Sequence, residues 1–429
     1  MDVCVKENTV IPEGYKKTEL GIIPEDWSIV KAGSVGIFKS GAAFPIKFQG
    51  IKSGSYPFLK VSDMNNVGNE IFMKISNNFI SELNRKQLCA TVFPERSIVF
   101  AKVGAAVFLE RKKILYTSSC LDNNMAGFII NENLAYYLYI YYIFINTNFG
   151  NLVEITALPS LSGSALSAIN IPLPPTLPEQ SAIASVLSDI DELIENLDKL
   201  IEKKKLIKQG AMQELLTGKR RLPGFSGNWE LKRLGEIGEI SGSGVDKKIN
   251  PDEEPVRLLN YLDVYKKDFI FSKDLNHWVT TPKMKLNQCS IEKGDVFFTP
   301  SSELQTDIAK SAVAMENIDK AVYSYHIVRF RIYENWDLKF RTYIFKTKQF
   351  YDQANRNAEG SGKRYVISLS KFRGFKIFYP VDVTEQSAIA SVLSDMDAEI
   401  EALEQKRDKY KQIKQGAMQV LLTGKIRLI

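Results

Sequence analysis

The chain has 429 residues, 45% hydrophobic and 25% charged, which is typical of a globular protein with two to four domains. The first twenty residues lack the apolar block of a secretory signal, and the longest apolar run, Leu134–Ile145, is far shorter than the ~20 residues of a membrane span. Scattered cysteines at Cys4, Cys89, Cys120 and Cys289, with only two histidines, argue against a zinc site or disulfide framework and favour a cytoplasmic location.

The net charge of +6 is unevenly distributed. Lys and Arg exceed Asp and Glu by 2 in residues 1–175 and by 5 in residues 223–380, whereas residues 176–222 and 381–429 are close to neutral. Two moderately basic surfaces on a neutral scaffold would give this distribution, and so would ordinary scatter of surface charge.

The first large segment, residues 1–175, is predicted to be mixed α/β. Short β-branched and aromatic runs at Ser97–Val103 and Ala126–Ile130 predict strands, and the apolar stretch Leu134–Asn146 predicts a helix. The second large segment, residues 223–380, follows the same plan. Strands are predicted at Val296–Phe298 and Val322–Arg331, and the apolar stretch Trp336–Asp352 that follows predicts a helix.

A long amphipathic helix is predicted after each large segment, in residues 176–222 and 381–429. Apolar residues recur at alternating spacings of four and three, which is the seam of a coiled coil. The seam comprises Ile183, Leu187, Ile190, Ile194, Leu197 and Ile201 in the first helix, and Ile389, Leu393, Met396, Ile400, Leu403 and Tyr410 in the second.

Local signals mark where these helices begin and end. Pro178 is expected just before the first helix, Thr384 is expected to cap the second, and Gly218 and Gly424 are expected to end them. Gly210 and Gly416, at matching places inside the pattern, predict a kink or a close helix crossing.

An internal duplication organises the chain. Residues 179–222 and 385–428 align without a gap at an offset of 206, with 31 of 44 positions identical. Weaker matches, such as Trp27 with Trp229 and Phe58–Asp63 with Leu258–Asp263, connect the large segments at a drifting offset. The prediction is an α/β (α+β) fold with a pseudo-twofold internal repeat: two mixed α/β domains joined by two long helices. An antiparallel coiled coil is favoured over helices that pack only on their own domains.

This layout resembles the specificity (S) subunit of type I restriction-modification enzymes. The resemblance is carried by PEDW at Pro24–Trp27, IPLPP at Ile171–Pro175, and EQSAIASVL and LLTGK in both helical copies. It implies target-recognition domains at residues 1–175 and 223–380, each binding half of a bipartite, asymmetric DNA site. It also implies that the conserved helices at 176–222 and 381–429 set the spacer and dock two methyltransferase subunits.

No convincing catalytic signature is present in the sequence. There is no GxxxxGK[ST] loop and no Asn/Asp-Pro-Pro-aromatic motif, and the ExK triplets beginning at Glu110 and Glu202 arise readily in a Lys-rich chain. We therefore expect a non-enzymatic subunit without metal or cofactor. By the resemblance, S-adenosylmethionine, ATP and Mg would be held by methyltransferase and helicase-nuclease partners.

Candidate DNA contacts are polar and basic side chains on loops and strand ends of the large segments. In the first segment they are Lys39, Ser40, Lys47, Lys52, Lys60, Lys102, Asn123 and Asn124. In the second they are Ser243, Lys247, Lys248, Asn260, Tyr261, Gln353, Arg356, Lys363 and Arg364, and the stretch Gln353–Tyr365 is predicted to be a basic, glycine-containing loop. A solvated surface role is the alternative for each. For the whole chain, the alternatives are a coiled-coil scaffold that binds protein or RNA and the specificity chain of a related two-headed system.

Overall fold

The computed structural model describes residues 11–153, 159–362 and 364–428. The chain divides into two compact units, of which the first is built from two separate stretches of sequence and the second from one. Unit 1 comprises residues up to Asn196 together with the stretch from Lys406 onward, and unit 2 comprises Leu197–Gln405. No helix among the described residues is both long enough and apolar enough to cross a bilayer.

In the described residues of unit 1, twelve short strands and four short α-helices precede the first long helix. The strands are β1 Tyr15–Thr18, β2 Gly21–Pro24, β3 Ser28–Lys31, β4 Gly36–Ser40, β5 Tyr56–Leu59, β6 Phe72–Met73, β7 Phe79–Ile80, β8 Ile98–Ala101, β9 Lys112–Leu115, β10 Cys120–Leu121, β11 Met125–Ile130 and β12 Asn170–Leu173. The helices are α1 Ala32–Val35, α2 Glu82–Gln87, α3 Tyr137–Asn146 and α4 Gly163–Ser167, followed by the long helix α5 Leu177–Leu215.

Unit 2 repeats this plan between the two long helices. Its strands are β13 Trp229–Arg233, β14 Gly238–Ser241, β15 Pro255–Leu259, β16 Phe269–Ile270, β17 Trp278–Thr280, β18 Ser290–Ile291, β19 Val296–Phe298, β20 Ser301–Ser302, β21 Ser311–Ala314, β22 Ile318–Tyr323, β23 Val328–Ile332, β24 Glu359–Ser361, β25 Arg364–Val366 and β26 Lys376–Pro380. Its helices are α6 Leu234–Ile237, α7 Tyr261–Lys266, α8 Lys283–Gln288, α9 Phe340–Ile344, α10 Lys348–Asn357 and α11 Leu369–Gly374, and the long helix α12 Val383–Leu421 follows.

The central sheets of the two units have the same topology. Each has five strands, in the order β4-β11-β8-β9-β6 in unit 1 and β14-β23-β19-β21-β16 in unit 2. In both, the first four strands pair antiparallel and the last pairs parallel. The predicted mixed α/β architecture and its internal repeat are therefore confirmed.

The long helices pair antiparallel within each unit. In unit 1 the early part of α5, with Ile183 and Leu187, shares a buried cluster with Met418 and Leu421 from the late part of α12. In unit 2 the reverse holds, because Leu215 from late α5 shares a cluster with Ile389 and Leu393 from early α12. All twelve predicted seam residues are buried or half-buried. Both helices are 39 residues long, in agreement with the gapless repeat.

Identical residues of the repeat make identical contacts in the two units. The Tyr142 hydroxyl donates to Asp191 Oδ2 at 2.9 Å and Lys414 Nζ lies 2.6 Å from Asp191 Oδ1. In unit 2 the Tyr343 hydroxyl donates to Asp397 Oδ2 at 2.9 Å, and Lys208 is the ion-pair partner of Asp397. These paired contacts explain why aspartate and lysine recur at these positions of the helices.

A buried glutamate at the start of each long helix forms a second repeated contact, the glutamate clamp. In unit 1 Glu179 accepts the Trp27 indole N–H at 3.3 Å and two guanidinium bonds from Arg427 at 2.8 Å. In unit 2 Glu385 accepts the Trp229 indole N–H at 3.3 Å and Arg221 Nη2 at 2.6 Å. Each clamp therefore joins the start of one long helix to the residues that follow the end of the other.

Four sequence-based details of the elements were wrong. The run Val322–Arg331 is not one strand, because a turn at Ser324–Ile327 separates β22 from β23. The stretch Trp336–Asp352 holds two helices, because the Thr347 hydroxyl caps a new helix by accepting the Phe350 N–H at 3.3 Å. Asp382, rather than Thr384, caps α12, because its Oδ1 accepts the Thr384 backbone N–H at 2.8 Å. Helix α5 already begins one residue before Pro178.

The two glycines inside the long helices neither break them nor mark a close crossing. Both helices continue through Gly210 and Gly416, and a Cβ added at either position would meet nothing within 4 Å. The expected helix ends are confirmed, since Gly218 and Gly424 adopt φ values of +69° and +68° just beyond the last helical residues.

Replacing Gly210 with alanine is therefore expected to raise the free energy of unfolding by about 0.5–1 kcal/mol, since alanine loses less backbone entropy in a helix. Chemical denaturation measures the change. Gly41→Ala is the matched contrast and should destabilise, because its Cβ would lie 2.0 Å from the Asp122 carbonyl oxygen. A clear loss of stability in Gly210→Ala would contradict the open environment of this glycine.

Candidate nucleic-acid interface

One edge of the five-stranded sheet of unit 1 gathers the ends of four strands. Ser40 at the end of β4 lies opposite Ala126, and Ala101 at the end of β8 lies opposite Met125. Lys112 at the start of β9 lies opposite Phe100. The loops that leave this edge therefore lie side by side, and we call it the loop edge of unit 1.

Several predicted contact residues meet at this loop edge. Lys102 Nζ donates to Ser40 Oγ at 2.8 Å, and the Lys102 amide donates to the Asn124 carbonyl at 2.7 Å. Asn123 and Asn124 are exposed on the turn before β11, and Lys39 is exposed beside Ser40. The sheet thus brings together cations, a hydroxyl and two amides that lie far apart in sequence.

Lys60 lies close to the same group of residues, because its charge acts on the carboxyl of Asp122 in the turn before β11. Burial raises the pKa of the Asp122 carboxyl, while hydrogen bonds from Asn124 and the charge of Lys60 act in the opposite direction. Lys60 Nζ also donates to Gln49 Oε1 at 2.9 Å. The described contacts of Lys47 and Lys52 are elsewhere, with the Phe48 ring and the Asn77 carbonyl.

Unit 2 has an equivalent loop edge. Ser241 at the end of β14 lies opposite Arg329, and Phe298 at the end of β19 lies opposite both Val328 and Ser311. Lys247 and Arg364, predicted from separate stretches of sequence, both lie near His326 at this edge. Burial, followed by the charges of Lys247 and Arg364, holds the pKa of His326 below its usual range.

Other predicted residues of unit 2 hold the scaffold together. Gln353 forms two hydrogen bonds with the backbone of Lys376, at 2.8 and 2.9 Å. The Tyr261 hydroxyl donates to the Ser301 carbonyl at 2.8 Å, and the Asn260 amide donates to Asp263 Oδ2 at 2.8 Å. The Ser243 carbonyl accepts the Cys289 thiol at 3.2 Å. The side-chain oxygen of Asn260 is buried without a hydrogen-bond partner.

The stretch Gln353–Tyr365 is not the single loop that the sequence predicted. Gln353 and Arg356 lie in the second half of α10, where the exposed Arg356 donates to the Asp352 carbonyl at 3.1 Å. Arg364 begins β25, which pairs with β24 and β20. Lys248 is exposed and lies 3.0 Å from Asp246, and Lys363 lies outside the described residues.

The structure also identifies two residues at this edge that the sequence did not single out. Tyr325 and His326 form the turn before β23, and their rings lie 3.8 Å apart between centroids. The residue pattern did not reveal them, because the run Val322–Arg331 was interpreted as one continuous strand. The ExK triplet beginning at Glu110 has a structural role, because Glu110 pairs with the buried Lys112 and accepts the Phe149 and Gly150 amides.

Comparison with known proteins assigns this architecture to a family. The family described as type I restriction modification DNA specificity domain matches residues 24–205 and again residues 226–414. The chain is 26% identical to the type I restriction enzyme MjaVIII specificity subunit of Methanocaldococcus jannaschii, over 97% of this chain and 96% of that protein. It is 25% identical to the putative MjaX specificity subunit of the same organism, over 97% of both chains.

Two solved structures share the fold. The S subunit of a type I restriction-modification system from M. genitalium superposes with a TM-score of 0.54 at 15% identity, covering 92% of this chain and 96% of that one. A chain from a structure concerning complex assembly and conformational transition of the type I R-M system has a TM-score of 0.60 at 13% identity, covering 94% and 99%. With two matches that span most of its length, the chain belongs to the type I restriction-modification DNA specificity family, as a specificity subunit rather than a catalytic one.

Proposed function

We propose that this chain selects the DNA target of a type I restriction-modification complex by reading a bipartite, asymmetric site. Each unit would bind one half-site through its loop edge. The observation that carries the proposal is that the same sheet edge recurs in both units but presents different side chains. Ser40, Lys102 and Asn124 lie at this edge in unit 1, and Lys247, His326 and Arg364 lie there in unit 2.

The chemistry of these edges suits duplex DNA. Lysine, arginine and serine bind phosphates, while asparagine, histidine and arginine can form hydrogen bonds with base edges in a groove. Different side chains on equivalent scaffolds would select different bases, so the two half-sites should differ in sequence. Residues 1–175 and 223–380 would thereby act as the two target-recognition domains.

The long helices would act as the spacer and as the docking site for two methyltransferase subunits. Their identical length and repeated ion pairs favour a rigid scaffold over a flexible linker. Partners would supply S-adenosylmethionine-dependent methylation and ATP- and Mg-dependent cleavage, so this chain would bind no cofactor of its own. The complex would act in the cytoplasm.

Methylated-base sequencing of a genome exposed to the assembled complex tests the proposal. We expect modified bases in a motif of two unlike half-sites separated by unspecified base pairs. A continuous motif, or two identical half-sites, would contradict the two-unit mechanism. Omitting this chain while retaining the methyltransferase subunits is the control, and it should abolish motif-specific methylation.

A further inference from the structure

The turn before the second strand of the central sheet has the same construction in both units. In unit 1 the turn runs from Asp122 to Met125, and the Met125 amide donates to the Asp122 carbonyl at 3.0 Å. In unit 2 it runs from Ser324 to Ile327, and the Ile327 amide donates to the Ser324 carbonyl at 3.0 Å. The first residue of each turn is buried.

A glycine in the adjacent backbone segment packs closely against each turn. Asp122 forms a parallel bridge with Ala42, and Ser324 forms a parallel bridge with Val245. A Cβ on the preceding Gly41 would lie 2.0 Å from the Asp122 carbonyl oxygen, and one on Gly244 would lie 2.4 Å from the Ser324 carbonyl oxygen. The backbones therefore pack so closely that the two residues after Asp122 and Ser324 have a defined position at the loop edge.

These two tip residues differ completely in chemistry between the units. Unit 1 presents the exposed amides Asn123 and Asn124. Unit 2 presents Tyr325, which is 49% exposed, with its ring against His326 at an interplanar angle of 38°. Burial, followed by the charges of Lys247 and Arg364, lowers the pKa of His326 and favours its neutral form, while Asp246 acts the other way. A neutral imidazole offers one hydrogen-bond donor and one acceptor.

We propose that Tyr325 and His326 are base-contacting residues that determine the half-site read by unit 2, as the counterparts of Asn123 and Asn124 in unit 1. The inference rests on the proposed function of the two loop edges. The imidazole and phenol would form hydrogen bonds or apolar contacts with base edges, while Lys247 and Arg364 neutralise neighbouring phosphates. Paired amides suit adenine, so the two tips would favour different bases.

The test uses the full chain assembled with its methyltransferase subunits. After the wild-type motif has been sequenced, the double variant Tyr325→Ala/His326→Ala is expected to bind the cognate duplex about 10- to 100-fold more weakly at fixed salt. Its methylated motif should become degenerate in one half only. Asn123→Ala/Asn124→Ala should make the other half degenerate.

Tyr333→Ala is the matched control, because Tyr333 is 72% exposed just beyond the opposite end of β23 and should leave affinity and motif unchanged. A second variant, Tyr325→Asn/His326→Asn, gives unit 2 the tip of unit 1 and should change the preferred bases in that half. If both unit 2 variants methylate the wild-type motif, this inference is overturned and the proposed function is not. A wild-type motif that is not bipartite overturns the proposed function as well.

Discussion

Replacing Glu179 with alanine is expected to lower the free energy of unfolding of unit 1 by about 3 kcal/mol. The carboxylate is buried, and its removal leaves the fully buried Trp27 indole N–H without its acceptor and Arg427 without a partner on this side. The same change at Glu385 should destabilise unit 2 to a similar extent, because Trp229 and Arg221 lose the corresponding acceptor. Urea unfolding followed by tryptophan fluorescence measures both effects.

A double-mutant cycle separates the free energy of the Glu179–Arg427 ion pair from the free energy lost with the packing of each side chain. Glu179→Ala and Arg427→Ala should be strongly non-additive, since each removes the same contact. Asp352→Asn is the control, because its pair with Lys348 is largely exposed and should contribute less than about 0.5 kcal/mol. A change below about 1 kcal/mol for both Glu179→Ala and Glu385→Ala would show that the glutamate clamps do not stabilise the units.

Inserting one heptad into each long helix, after Asn196 and after Gln405, is expected to abolish methylation at the native target. A heptad adds about 10 Å of helix, equivalent to about three base pairs of duplex DNA, while preserving the register of the apolar seam. Any residual methylation should occur at sites with the same two half-sequences and a correspondingly longer spacer. Methylated-base sequencing of the reassembled complex measures both quantities.

A substitution that keeps helix length is the control for the insertion. Lys203→Ala changes an exposed residue of α5 and should leave the spacer as it is. If the inserted variant still methylates the native spacer efficiently, the helices do not set the distance between half-sites. Loss of methylation with retained binding to each half-site would support the spacer role.

The long helices were predictable because their signal is local and repeated. A seam at Ile183, Leu187 and Ile190, copied at an offset of 206, needs no knowledge of tertiary contacts. The glutamate clamps were not predictable in this way. Glu179 and Arg427 lie 248 residues apart, and their contact depends on the antiparallel packing of the helices.

The loop edges were predictable only in part. Lys102 follows one clearly predicted strand and Asn124 precedes another, so the predicted strand ends located both correctly. The apolar residues around Ser324–Ile327, in contrast, concealed a turn inside an apparent strand. Gln353 looked like a surface contact because nothing local reveals its bonds to Lys376. Polar residue type alone therefore could not distinguish a contact residue from a scaffold residue.

The division of unit 1 between both ends of the chain has a consequence for synthesis on the ribosome. Domains usually fold in order from the N-terminus as they emerge. Here the core of the first unit includes Met418, Leu421 and Leu422, and its clamp needs Arg427, so it cannot be completed until these late residues have been synthesised. Unit 2, Leu197–Gln405, has all of its residues available earlier. A frameshift just after Gln405 would therefore leave the residues of unit 2 intact but disrupt unit 1, most of which is translated first.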